Sequence, residues 1–222
     1  MPSHNFVIDL ILTVEIAFLI FLIGRHLYIS RNNWAGYSLV TPINNMSASW
    51  VVPNASGCAQ CIMSVWIGIS PSTGSDPLIQ IGTVSGYAKS TGAWGAGWHE
   101  SLPQEPSMVN TPFSTNPGDI VVASIRQANN GRYILTLDDL TKHINYSTTY
   151  HYGGSEQAAD FVVEREAVDG QWIPYPDLSD ITMFNLQVNG QPACVVARRQ
   201  WQIIMPNYTL TPSLQCGANV NC

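Results

Sequence analysis

Charge is what this sequence has least of. Of 222 residues, nine are Lys or Arg and 15 are Asp or Glu, 11% together, against a usual share of roughly 25%. With so few cations there is no basic run to follow a phosphate backbone, which excludes nucleic acid as a partner class. Few charges of either sign also leave little for acid to unbalance, which suits a protein working at low pH. The five histidines show no metal-ligand spacing, and no Ser-His-Asp order stands out. Gly95-Ala96-Gly97 lacks the strand–helix context of a phosphate loop. No metal and no cofactor is therefore implied. After residue 31 there is no helix-length amphipathic segment, no repeat and no low-complexity block.

What is present is a hydrophobic share of 45%, too high for a disordered chain, with Asn, Ser, Thr, Gln and Gly in place of surface charge. Five cysteines and four Asn-x-Ser/Thr sequons, at Asn45, Asn54, Asn145 and Asn207, favour an exported, oxidising, glycosylated setting. Cys58-Ala59-Gln60-Cys61 has no second ligand pair and no His nearby, so a local disulfide is expected rather than zinc. Cys216 and Cys222 could close the tail in the same way, leaving Cys194 over.

The chain divides at residue 31. Phe6 to Ile23 reads FVIDLILTVEIAFLIFLI, which as a helix is roughly 27 Å long, about one hydrocarbon thickness. A continuous apolar helix over Phe6 to about Leu27 is expected, with no share in the core that follows. It needs either a lipid bilayer or other copies of itself. Asp9 and Glu15 are costly in lipid unless protonated or paired. The stretch Ile11-Leu12-Thr13-Val14-Glu15 is similar to the N-terminal helix of type IV pilins, whose apolar helix carries one Glu and packs in a filament. Arg25 and Arg31 follow the helix, and on the positive-inside rule they place the domain in the cytoplasm. The sequons oppose this, and an extracytoplasmic, cell-surface location is the expectation.

Residues 32–222 read as one all-β domain. Periodicity turns to alternation, with strands expected at Met46–Val52, Ile62–Ile69, Leu78–Thr83, Ile120–Gln127, Arg132–Leu137, Ile144–Tyr150, Asp160–Glu164, Thr182–Val188 and Gln200–Ile204. Turn signals between them include Asn129-Asn130-Gly131 and Asn189-Gly190. Short strands at this spacing make an antiparallel two-sheet sandwich.

Several blocks, in order, resemble the glutamic peptidases (eqolisins). They are Asn33-Trp34-Ala35-Gly36-Tyr37, Trp50-Val51-Val52-Pro53, Trp66-Ile67-Gly68-Ile69, Leu78-Ile79-Gln80-Ile81-Gly82-Thr83, Ala93-Trp94, Gly118-Asp119-Ile120 and Ala159-Asp160-Phe161-Val162-Val163-Glu164. The resemblance runs over residues 33 to 205. It implies a two-sheet fold with the site on one sheet's concave face, polypeptide substrates, and a catalytic pair of Gln80 and Glu164. A single carboxyl can serve peptide hydrolysis as base and acid in turn. A glutamine amide can donate to an oxyanion and orient water. Without the resemblance, Glu164 reads as a strand-end acid and Gln80 as the solvent side of a strand. Trp66, Trp94 and Trp98 are candidate substrate-binding residues, with core or rim roles as the alternative. The family's acidic positions around Ala-Trp hold Gly92 and Ala96 here, and Glu100 is a candidate replacement. A non-enzymatic surface or filament subunit is the competing function.

Overall fold

A computed structural model describes residues 26–30, 33–71, 77–154, 157–168, 170–177, 181–193, 199–204 and 213–215. The strands are β1 (His26–Ser30), β2 (Trp34–Val40), β3 (Asn45–Val51), β4 (Gln60–Ser70), β5 (Leu78–Ala88), β6 (Gly92–Leu102), β7 (Glu105–Thr115), β8 (Ile120–Gln127) and β9 (Arg132–Asp139). They continue as β10 (Ile144–His151), β11 (Ala158–Arg165), β12 (Ala167–Val168), β13 (Gln171–Trp172), β14 (Thr182–Val188), β15 (Gln191–Pro192), β16 (Arg199–Ile204) and β17 (Ser213–Gln215). The first sheet runs β1-β16-β2-β11-β4-β5-β6-β7, and the second runs β10-β9-β8-β3-β14-β15 with β17 beside β14. Pairing is antiparallel except at β1–β16 and β14–β17.

The turn chemistry explains the hairpins. Asn130 and Gly131 between β8 and β9, and Asn189 and Gly190 between β14 and β15, all have positive φ, the conformation a two-residue type I′ turn demands.

Between the sheets lies the main core, including Trp50, Met63, Ile67, Ile81, Leu135, Leu137 and Phe161. Trp50 Nε1 donates to Thr83 Oγ1 at 2.9 Å, tying one sheet to the other. Near the β6–β7 edge, His99 bonds Tyr150 at 2.6 Å and Tyr146 at 2.8 Å from opposite ring nitrogens. A second cluster, Trp66, Leu78, Val84, Trp98 and Val162, occupies the other face of the first sheet. That sheet is thus covered on both faces along β4 and β5. This is why those strands are buried almost throughout rather than in alternation.

All nine expected strands are present. Eight were not expected from periodicity: the short β1, β12, β13, β15 and β17, and the longer β2, β6 and β7. β6 is glycine-rich, and β7 carries Pro112, which an edge strand tolerates because its amide can face away from the ladder. The sheet also reaches back to His26–Ser30, N-terminal to the expected domain start at residue 32. The helix expected from Phe6 lies, up to residue 25, outside the described residues, as do Asp9 and Glu15. Cys58 and Cys61 are joined as a disulfide. Cys194, Cys216 and Cys222 lie outside the described residues.

Candidate active site

Strand register decides which side chains can meet. Residues directly opposite each other share a face of the sheet. Glu164 stands opposite Trp34 on β2 and Ser64 on β4. On β4, Trp66 stands opposite Gly82 and Gly68 opposite Gln80. Gln80 in turn faces Glu100 on β6, and Gly82 faces Trp98. Trp34, Asp160, Glu164, Trp66, Gln80, Trp98 and Glu100 therefore all stand on the face turned away from the second sheet. Gln80 and Glu164 share a face, but not on adjacent strands as expected: β4 runs between β5 and β11.

Glu164 is held from three directions. Its Oε1 accepts from Asn33 Nδ2 at 2.6 Å and Trp34 Nε1 at 2.8 Å, and its Oε2 accepts from Trp66 Nε1 at 2.8 Å. The two indoles meet edge to face, with centroids 4.9 Å apart. Asn33 is itself tied down, since the Arg165 amide donates to its carbonyl at 2.7 Å. Burial pushes Glu164 up to about 8, the charge of Glu166 adds to this, the two indole N–H groups oppose it, and Glu100 adds a smaller upward push. Desolvation thus outweighs the donors. Glu166 accepts from Ser64 Oγ, and burial raises it as well, against the pull of that hydroxyl.

Gln80 is 4% exposed. Its Nε2 donates to Glu100 Oε2, and its Oε1 is buried with no partner among the described residues. Trp66 and Trp98 are also buried, whereas Trp94 is 37% exposed. Trp66 thus fixes the carboxyl of Glu164, Trp98 lies in the second cluster, and Trp94 offers a ring at the surface. Gly86 makes room for that ring, since a Cβ there would come within 2.4 Å of it. Asn33, Trp34, Ser64 and Glu166 were not picked out from sequence as site residues. Asn33 and Trp34 lie in the opening block, and Glu166 follows Glu164 by two positions, so motif position was the available signal. Among the described residues, no three His, Cys, Asp or Glu side chains gather as a metal site requires.

A two-sheet sandwich with a neutral amide and a buried, proton-holding carboxyl on one sheet face has the makings of a hydrolytic site. The peptidase A4 family matches residues 32–209, and the chain belongs to that family. Scytalidopepsin B of Scytalidium lignicola is 24% identical over 209 residues, covering 86% of this chain and 77% of that protein. Scytalido-glutamic peptidase, solved with a transition-state analog inhibitor, superposes with a TM-score of 0.59 at 20% identity, over 72% of this chain and 82% of that one. SCP-B, an eqolisin solved with the tripeptide Ala-Ile-His, gives 0.54 at 19% identity, over 72% and 81%. At these identities, the structural likeness speaks for the fold.

Proposed function

We propose that this protein is a glutamic endopeptidase that hydrolyses polypeptides in acid with Glu164 and Gln80. The observation that carries the reading is the placement of these two residues on one sheet face, with Glu164 raised to about 8. Below that pH the resting carboxyl holds a proton. Glu164 gives it to the scissile amide as water adds to the carbonyl carbon, and the carboxylate then recovers a proton from that water. The C–N bond breaks, a new C–O bond remains, and Glu164 ends as it began. Gln80 cannot titrate; its remaining N–H serves the developing oxyanion and its Oε1 orients water. Membership of a peptidase family and the names of its relatives support the substrate class.

The test is cleavage of a denatured protein by the full-length chain from acid to alkaline pH. Activity should fall as pH rises through about 8, where Glu164 loses its proton. Glu164→Gln, nearly isosteric but unable to titrate, should lower kcat by at least about 100-fold with an unchanged circular dichroism spectrum. Full activity in that variant would assign the chemistry to another residue.

A further inference from the structure

We propose that Glu100 is a positioning residue of this site, locking Gln80 in one amide orientation so that Oε1 is the end left for an incoming donor. The kinetic part of the proposal rests on the peptidase reading. Gln80 and Glu100 are directly opposed on β5 and β6, and Nε2 of Gln80 donates to Glu100 Oε2. While Glu100 is ionised it only accepts, so the amide then has one way to meet it: nitrogen toward Glu100, oxygen elsewhere. That oxygen is buried and meets no donor among the described residues. A water or a substrate N–H supplies what is missing. A glutamine facing only neutral amides or hydroxyls could flip; one facing a carboxylate cannot without setting two acceptors against each other.

The second observation is electrostatic. Among the described residues, the carboxyls on this face are Glu100, Asp160 and Glu164, with Glu166 just beyond the strand. From β4, and from β2 with the residue before it, the groups facing Glu164 are neutral: Asn33, Trp34 and Trp66, which donate to it, and Ser64 opposite it. Glu100 lies close enough for its charge to act on Glu164 and raise it. One side chain thus touches the amide and biases the acid.

The experiment uses the full-length protein and Glu100→Gln. The new amide both donates and accepts, so either orientation of Gln80 becomes allowed. We expect kcat to fall about 10- to 100-fold, with KM changed less than about twofold, and Glu100→Asp to recover part of the loss. Two NMR readouts do not depend on turnover. In the wild type, a side-chain amide proton of Gln80 should shift as Glu100 titrates, and this response should vanish in Glu100→Gln. The carboxyl carbon of Glu164 should titrate at lower pH in the variant, because a like charge is gone. A Gln80 amide indifferent to pH in the wild type overturns the proposal, even if the variant does not fold. An unmoved Glu164 midpoint in a folded variant overturns it too. A wild type that cleaves nothing removes the peptidase reading, while the NMR pair still decides the role of Glu100.

Discussion

Three N–H groups converge on Glu164, an arrangement that favours the ionised form, while burial and two neighbouring carboxyls favour the neutral one. The balance lies with the neutral form up to about pH 8, and each donor is a lever on it. Trp66→Phe removes one donor and keeps an aromatic ring beside Trp34. The ionised form loses support, so the Glu164 midpoint should move further up, and the alkaline fall of activity with it. A carbon-detected carboxyl titration of the variant checks this; a downward shift would mean that the indole matters chiefly by shielding the carboxyl from water. Gln80 and Glu164 could be singled out as candidates from the sequence because each sits inside an ordered block. The tie between Trp34 and Glu164 was not, since it joins residues 130 positions apart and exists only through the register of β2 against β11.

At the level of strands, the site depends on clearances. Gly82 on β5 sits tight against β4 at the root of Trp66: a Cβ there would stand 2.2 Å from Val65 O and 2.5 Å from Trp66 Cβ. The nearest of these contacts is backbone and cannot swing aside. Gly82→Ala should therefore force β4 and β5 apart locally, costing about 1–3 kcal/mol, in the range of overpacked cores. Urea denaturation of the variant measures the cost, and loss of activity should exceed it because the indole that holds Glu164 moves. Sequence periodicity located the strands that alternate, such as β8 and β9, in which buried residues alternate with half-buried or exposed ones. It passed over β6, where glycines dilute the apolar signal. Yet β6 carries Glu100 and Trp98, and one register shift against β7 ends at Trp98 while the next spans Glu100. Such bulges re-aim side chains locally, and nothing in composition announces them.

Over the whole molecule, the two-sheet architecture followed from alternation and turn chemistry, while the covering of the first sheet on both faces did not. That second covering makes the site a buried place, and burial sets the pH behaviour of the fold. Glu164 and Glu166 both titrate above their ordinary range in the folded state, so the folded protein binds more protons there than the unfolded chain. The stability they contribute is complete below the ordinary carboxylate range, where both states are protonated. It is lost as pH rises from about 4.5 through about 8 for Glu164, at no more than about 1.4 kcal/mol per pH unit for one proton. Asp119 runs the other way. Burial works to raise it, but the Asn116 amide and Lys142, 3.0 Å away, outweigh burial and hold it below its ordinary value. Its contribution is present above about 3.8 and is lost as pH falls through its lowered folded value. The two trends place maximum stability in mild acid, between the Asp119 and Glu164 transitions. Urea unfolding followed across that range should give a higher midpoint near pH 4.5 than near pH 8. In Glu164→Gln the slope on the alkaline side should flatten, because one of the two raised carboxyls is gone. A wild-type midpoint that climbs steadily toward alkaline pH would show that Glu164 and Glu166 are ionised in the folded protein, and the acid-active site with them would have to be abandoned.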